Sequence, residues 1–299
     1  SSSCRTRDSR QQLSGGFVGE ALNPDVDFRS VVTDNRIVVN GLLGLGAEFG
    51  DHKLRWTNLY IRDTIKQARL SRGFDGLSGD ADTEVITQNT YWFERQLIDT
   101  QFVGEFQFGP LGLDVRGTYA NSQRESPYER SFSYAYNAGV DDFVNDLRSV
   151  NQSARVAFSD LNENVYAGGA DLSYELPTER AITLSAGYAY SKTDRNAVRR
   201  EFRFLPAGEV PDGLSQLRPD YLLSDYNIYN YDILLVETSG QAGAAAYDAG
   251  LTVHAGYAQA VAELVPGLSA TVGVRYEDAK QFVTPLDLFN SGATGVAPT

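Results

Sequence analysis

The chain of 299 residues has no methionine, one cysteine (Cys4) and two histidines, His52 and His254. A single cysteine excludes an internal disulfide and any multi-cysteine metal centre. Without methionine the chain starts directly in "SSSCRTRDSR", and it ends in "NSGATGVAPT". It is expected to be an internal stretch of a longer protein, with any leader or upstream domain outside it. No run of about 18 apolar residues occurs, which excludes a membrane-spanning helix. Mean hydropathy is −0.31, a value that leaves a membrane β-barrel open, because only alternate residues of a barrel need be apolar. Basic residues are outnumbered, 26 Lys and Arg against 39 Asp and Glu, for a net charge of −13. That balance argues against a nucleic-acid partner, since phosphate neutralisation needs clustered Lys and Arg.

Glycine (28), tyrosine (17) and phenylalanine (15) are plentiful, a composition that favours strands. Period-two alternation recurs. Val39, Leu43, Leu45, Ala47 and Phe49 alternate with Asn40, Gly44, Gly46 and Glu48, with Leu42 as the exception. Phe102, Phe106 and Phe108 oppose Gln101, Glu105 and Gln107; Leu111, Leu113, Val115 and Tyr119 oppose Asp114, Arg116 and Thr118. Leu172, Tyr174 and Leu176 oppose Asp171, Ser173 and Glu175, and Ile182 to Tyr190 continues the pattern. In the last hairpin Leu251, Val253, Tyr257 and Val261 oppose Thr252, His254 and Gly256, and Val272, Val274 and Tyr276 oppose Arg275 and Glu277. From Leu54 to Ser71 both parities are partly apolar, so no face is assigned there.

Short connections, "FGDHK", "GPLG", "LPTER" and "VPGLS", alternate with long polar ones, the longest from about residue 200 to 245. All tight turns then lie at one end and all long loops at the other, the asymmetry of an outer-membrane barrel. Phe49, Trp56, Phe108 and Tyr174 near the turns, and Tyr119, Tyr188 and Tyr190 further up, fit two interfacial aromatic belts. The apolar side is expected to meet lipid and the polar side a wet interior; a soluble sandwich would reverse this. Residues 140–150, "VDDFVNDLRSV", have helical spacing and are expected to form a short surface helix in a loop.

"AGYAQAVAEL", a short turn and "GVRYE" at Gly273–Glu277, together with the hairpin from Thr90 to Pro127 and "LSAGYAYSKTDRNAVRREFRF", resemble the barrel of TonB-dependent receptors. The likeness spans roughly residues 35–289. It predicts an all-β fold, an antiparallel transmembrane barrel fragment of about eight meander strands, with residues 1–34 as an extracellular loop or a poorly ordered lead-in and 290–299 as a truncated extracellular loop. It implies energy-coupled uptake of a scarce ligand (siderophore, cobalamin, heme or oligosaccharide) in the outer membrane of a Gram-negative bacterium. Its partners would be membrane lipid and lipopolysaccharide, a plug domain and, through the plug, TonB, with no cofactor or metal. A passive porin-like channel, a barrel enzyme and a soluble β-rich binding module are the alternatives.

Tyr226, Asn227, Tyr229, Asn230 and Tyr231, with Tyr134 and Tyr136, form candidate ligand-binding surfaces in the long loops, because rigid aromatics and adaptable amides suit recognition. Glu105, Arg116, Asp171, Glu175, His254, Arg275 and Glu277 are expected to face the lumen. No G-x-S-x-G motif accompanies His254, so no catalytic role is assigned. The one basic cluster, Arg195, Arg199 and Arg200, could meet lipopolysaccharide phosphates or an anionic ligand.

Overall fold

The structure is a computed structural model that describes residues 2–18, 21–75, 83–145, 147–148, 154–239 and 245–288. It is all-β apart from three short helices. The strands are β1 (Ser2–Val18), β2 (Ala21–Phe49), β3 (His52–Asp75), β4 (Glu84–Phe108), β5 (Leu111–Asn137), β6 (Asp142–Val144), β7 (Ala154–Glu175), β8 (Ile182–Pro206), β9 (Ile233–Glu237), β10 (Ala246–Val265) and β11 (Leu268–Leu286). The helices are α1 (Asp212–Ser215), α2 (Pro219–Leu222) and α3 (Asp225–Asn230). All strands join one antiparallel sheet in the order β1-β2-β3-β4-β5-β7-β8-β10-β11, with β6 on β5 and β9 on β8. The sheet is open, with β1 and β11 as its edges.

The four short connections all lie at one end. Gly50, Gly109 and Gly267 take φ of +60°, +61° and +84° there, the backbone that tight turns demand and glycine supplies without steric cost. At the other end the strands run far beyond the expected loop boundaries. The stretch around Tyr134 and Tyr136, expected to be loop, is strand, because β5 continues to Asn137 beside β4, with β7 on its other side as far as Phe132. Residues 2–18 and 21–34 likewise pair as β1 and the outer part of β2. The alternation is hard to read in these segments because Val32, Phe132 and Tyr134 stand among Arg, Asp, Glu and Ser, and a bulge at Pro127 resets the period of β5. Pro127 sits at a bulge of β5, where register shifts against β4 and β7; a bulge tolerates the missing N–H. Ser126 is buried there, and its hydroxyl donates to the Trp92 carbonyl at 3.1 Å.

The helix expected at 140–150 is absent from the described residues. Asp142–Val144 form β6, and Asp141 and Leu147 adopt positive φ. The apolar spacing serves a different purpose: Leu147 and Phe143 pack into a small core with Phe132, Tyr134, Ala154, Leu214, Leu222 and Ile233. This cluster, covered by α1–α3, is the principal dry packing at the loop end.

Candidate functional site: two faces of one wall

Residues directly opposed in an antiparallel sheet share a face, so the register assigns every side chain. On one face Val272, Ala260, Leu184, Tyr174, Leu111 and Phe108 form a row. The next row is Val274, Ala258, Ala186, Leu172, Leu113 and Phe106, and above it lie Tyr276, Gly256, Tyr188, Ala170, Val115, Gly104, Leu54 and Ala47. These rows form an apolar band open to the surroundings: Leu172 is 46%, Leu184 45% and Val272 75% exposed. On β7 the band runs from Tyr174 to Tyr166, a rise of eight residue steps. That is about 27 Å along the strand, or about 21 Å of height at a tilt near 40°. Beyond Tyr119 and Tyr166, whose rings lie 5.1 Å apart, the same face turns polar, through Asn121, Asn162 and Asn164, joined by side-chain hydrogen bonds of 2.8 and 2.9 Å.

The register also assigns the ambiguous segment. Leu54, Trp56 and Tyr60 lie on the apolar-band face, and Leu59, Ile61 and Ile65 on the other. In β10 the expected parity is corrected. Gly256, Ala258 and Ala260 stand beside Tyr188, Ala186 and Leu184, whereas Leu251, Val253, Tyr257 and Val261 share the opposite face with Thr193, Ser191, Gly187 and Thr183. Local hydropathy ranked Leu and Val above Ala; pairing with the neighbours overrode it.

Six of the seven residues expected to face the lumen, Glu105, Arg116, Asp171, Glu175, Arg275 and Glu277, do share the polar face. Arg116 pairs with Asp171, and Arg275 with Glu277 at 2.5 Å. His254 does not join them. It lies on the band face opposite Tyr190 and Asp278, with Nδ1 2.6 Å from the Tyr188 hydroxyl. Gly187 belongs to the polar face because of what covers it: a Cβ there would lie 2.1 Å from Asp171 Oδ1 and 2.4 Å from the Tyr257 ring.

The loop candidates separate by packing. Tyr226 and Tyr229 are 71% and 81% exposed on α3. Asn227 is turned inward, its amide donating to the Tyr221 carbonyl at 2.6 Å, and Asn230 donates to the Tyr226 carbonyl at 2.7 Å. Tyr231 packs against the small core. Tyr134 is buried in it, with its hydroxyl donating to the Leu217 carbonyl at 2.9 Å, and burial pushes its phenol pKa up. Tyr134, Asn227 and Tyr231 are therefore structural rather than parts of an open surface, because the helical cover needs apolar and hydrogen-bonded anchors. Tyr136 donates to Asp141 at 2.5 Å, a contact that raises its pKa.

Ion pairs stitch the strands together at the loop end. Arg36 clasps Asp63 at 2.8 and 2.7 Å, Arg72 clasps Glu84 at 2.7 and 2.8 Å, and Arg200 clasps Glu237 at 2.9 and 2.8 Å. The arginine hydrogen bonds hold the carboxyl pKa of Asp63, Glu84 and Glu237 below its ordinary range. Of the basic cluster, Arg195 pairs with Glu163 at 2.5 Å and Arg199 with Glu129 at 2.9 Å. Sequence reading missed a second group on the polar face, Arg95 and Arg124, which lie 29 positions apart and meet only through the β4–β5 register.

No protein-family model matches the chain, and no curated protein matches it. Among solved structures the chain is similar to the siderophore receptor PiuA from Acinetobacter baumannii, at 10% identity and a TM-score of 0.41, over 99% of this chain and 44% of that receptor. The chain thus spans less than half of that receptor's length. The fold assignment rests on the strand register itself.

Proposed function

We propose that this chain is part of the wall of an outer-membrane β-barrel receptor of the TonB-dependent kind, serving energy-coupled uptake of a scarce ligand in a Gram-negative bacterium. The observation that carries this is the apolar band: about 21 Å of outward Leu, Val, Ala and Phe, edged by tyrosines, on one face only. That height is close to the apolar belt of about 25 Å that outer-membrane barrels present to lipid. Tight turns at one end and long projecting strands at the other support the same orientation, with the turns periplasmic. The open edges β1 and β11 would be closed by further strands, since unpaired backbone is costly in lipid.

A gated receptor is favoured over a passive channel by the interior face. Leu59, Ile61, Leu97 and Leu161 lie on it, along with Val253, Tyr257 and Val261. Such a surface suits a packed plug better than a wet pore. The chain's role would be structural and ligand-binding rather than catalytic.

The two tryptophans provide the test. Trp56 lies in the band and Trp92 in the projecting part. Single-tryptophan variants are to be reconstituted in vesicles containing brominated lipid. Quenching of Trp56 with Trp92 spared is expected. A protein that stays monodisperse without detergent, with Trp56 unquenched, would overturn the membrane reading. Proton-motive-force dependence of ligand uptake by cells carrying the full-length protein would then separate receptor from passive channel.

A further inference from the structure

The polar face of the projecting wall is basic in a strongly acidic chain. Among the described side chains, seven arginines, Arg69, Arg95, Arg124, Arg155, Arg195, Arg199 and Arg203, share it with five carboxylates, Asp63, Asp99, Glu129, Glu163 and Glu201, across β3 to β8. At its centre, Arg95 of β4 directly opposes Arg124 of β5. Like charges opposed in this way are destabilising. The sequences there are Glu94-Arg95 and Arg124-Glu125, so a slip of one residue would pair Glu94 with Arg124 and neutralise both. The observed register does the reverse. It gathers both arginines on one face and opposes Glu94 to Glu125 on the other.

The carboxylate in the Arg95–Arg124 row, Asp63, is already clasped by Arg36. Arg124 stacks instead on an aromatic ring, its guanidinium carbon 5.0 Å from the Phe93 centroid. Phe93 in turn stacks with Tyr91, centroids 6.0 Å apart and planes 15° apart. Two guanidiniums beside a pair of parallel rings form a surface for a flat anion: the forks bind oxyanions bidentately, and the rings receive the planar part. The row lies about 17 Å along β5 beyond Tyr119, at about 3.4 Å per residue, outside the apolar band.

We propose that Arg95, Arg124, Phe93 and Tyr91 form a binding site for a small multivalent oxyanion with a planar apolar portion, bearing carboxylate, phosphate or phenolate oxygens. The site deepens the receptor reading by giving its ligand a charge. It rests on that reading only for the side from which ligand arrives.

The test is calorimetric titration of the full chain in detergent micelles with benzene-1,3,5-tricarboxylate, a flat trianion. Binding that weakens as salt is raised is expected, with no binding of the neutral triamide of the same shape. The double variant Arg95→Gln/Arg124→Gln should lose at least tenfold in affinity. Arg72→Gln, on the opposite face, should leave affinity unchanged. Relief of like-charge opposition should leave the Tm of the double variant equal to or above that of the parent. Absence of trianion binding by the folded parent, equal binding by the double variant, or a lowered Tm in that variant would each overturn the proposal. Trianion binding with Trp56 unquenched would keep the site and sink the membrane reading; quenching without binding would do the opposite.

Discussion

The turn-end half of the sheet and its loop-end half are built from the same strands by different means. In the turn-end half one face is a continuous apolar band, and the other carries a few polar contacts such as Arg116 with Asp171. In the loop-end half both faces are largely polar. Cohesion there comes from bidentate arginine–carboxylate pairs across strands and from one small core under α1–α3. The contrast shows that backbone pairing carries a strand well past the point where its hydropathy pattern ends, provided charged ladders satisfy the side chains.

The largest effect that would sharpen this contrast is expected at Phe132, fully buried in the loop-end core and stacked with Phe204 at 6.4 Å. Phe132→Ala should cost about 3–5 kcal/mol, confined to the loop end. Hydrogen exchange should rise around Tyr134, Leu214 and Ile233 with the band unaffected; a uniform rise would show that the two halves are one cooperative unit.

Next in size, Leu172→Arg should destabilise the reconstituted protein by about 2–4 kcal/mol, the cost of a cation at mid-bilayer depth. Ser173→Arg, one residue along but on the polar face, should change little. Urea titration in vesicles reads the difference, and equal costs would abolish the distinction between the faces.

Acid separates the halves more gently. A carboxylate whose folded pKa is lowered contributes stability above its unfolded pKa, about 4, and loses it as pH falls through the folded value. Asp63, Glu84 and Glu237 are all held low by arginine hydrogen bonds and all lie at the loop end. Below about pH 4, the emission of Trp92, whose indole donates to Glu94 at 3.1 Å, should shift before that of Trp56. Simultaneous shifts would remove the electrostatic half of the contrast.

The smallest effect belongs to single ladder rungs. A double-mutant cycle on Arg200 and Glu237 should give a coupling of about 0.2–1 kcal/mol, typical of exposed pairs. A coupling of several kcal/mol would mean that this rung is far less screened than its exposure implies.

The band was legible in the chain because lipid-type burial writes a period of two: Phe102, Leu172, Leu184 and Val272 announced their face before any neighbour was known. Tight turns were legible through Gly and Pro. The parity of β10 was not, because Ala258 and Ala260 are as compatible with an apolar face as Val253 and Val261, and only the partners in β8 and β11 decide. His254 was misassigned with them. The outer part of β5 was hidden because the bulge at Pro127 resets its period, and Glu129 and Arg130 interrupt the run to Phe132, Tyr134 and Tyr136. Arg95 and Arg124 left no mark in the text because their meeting is a matter of register alone.

The sequence by itself determined the alternation, the tight turns at Gly50, Gly109 and Gly267, and the absence of any long apolar helix, since each follows from local sterics and side-chain transfer energies. Tertiary structure alone decided which face His254 joins, how far the strands project and which charges oppose each other. Those outcomes depend on hydrogen-bonded register between segments tens of residues apart, where a one-residue shift moves every side chain to the other face.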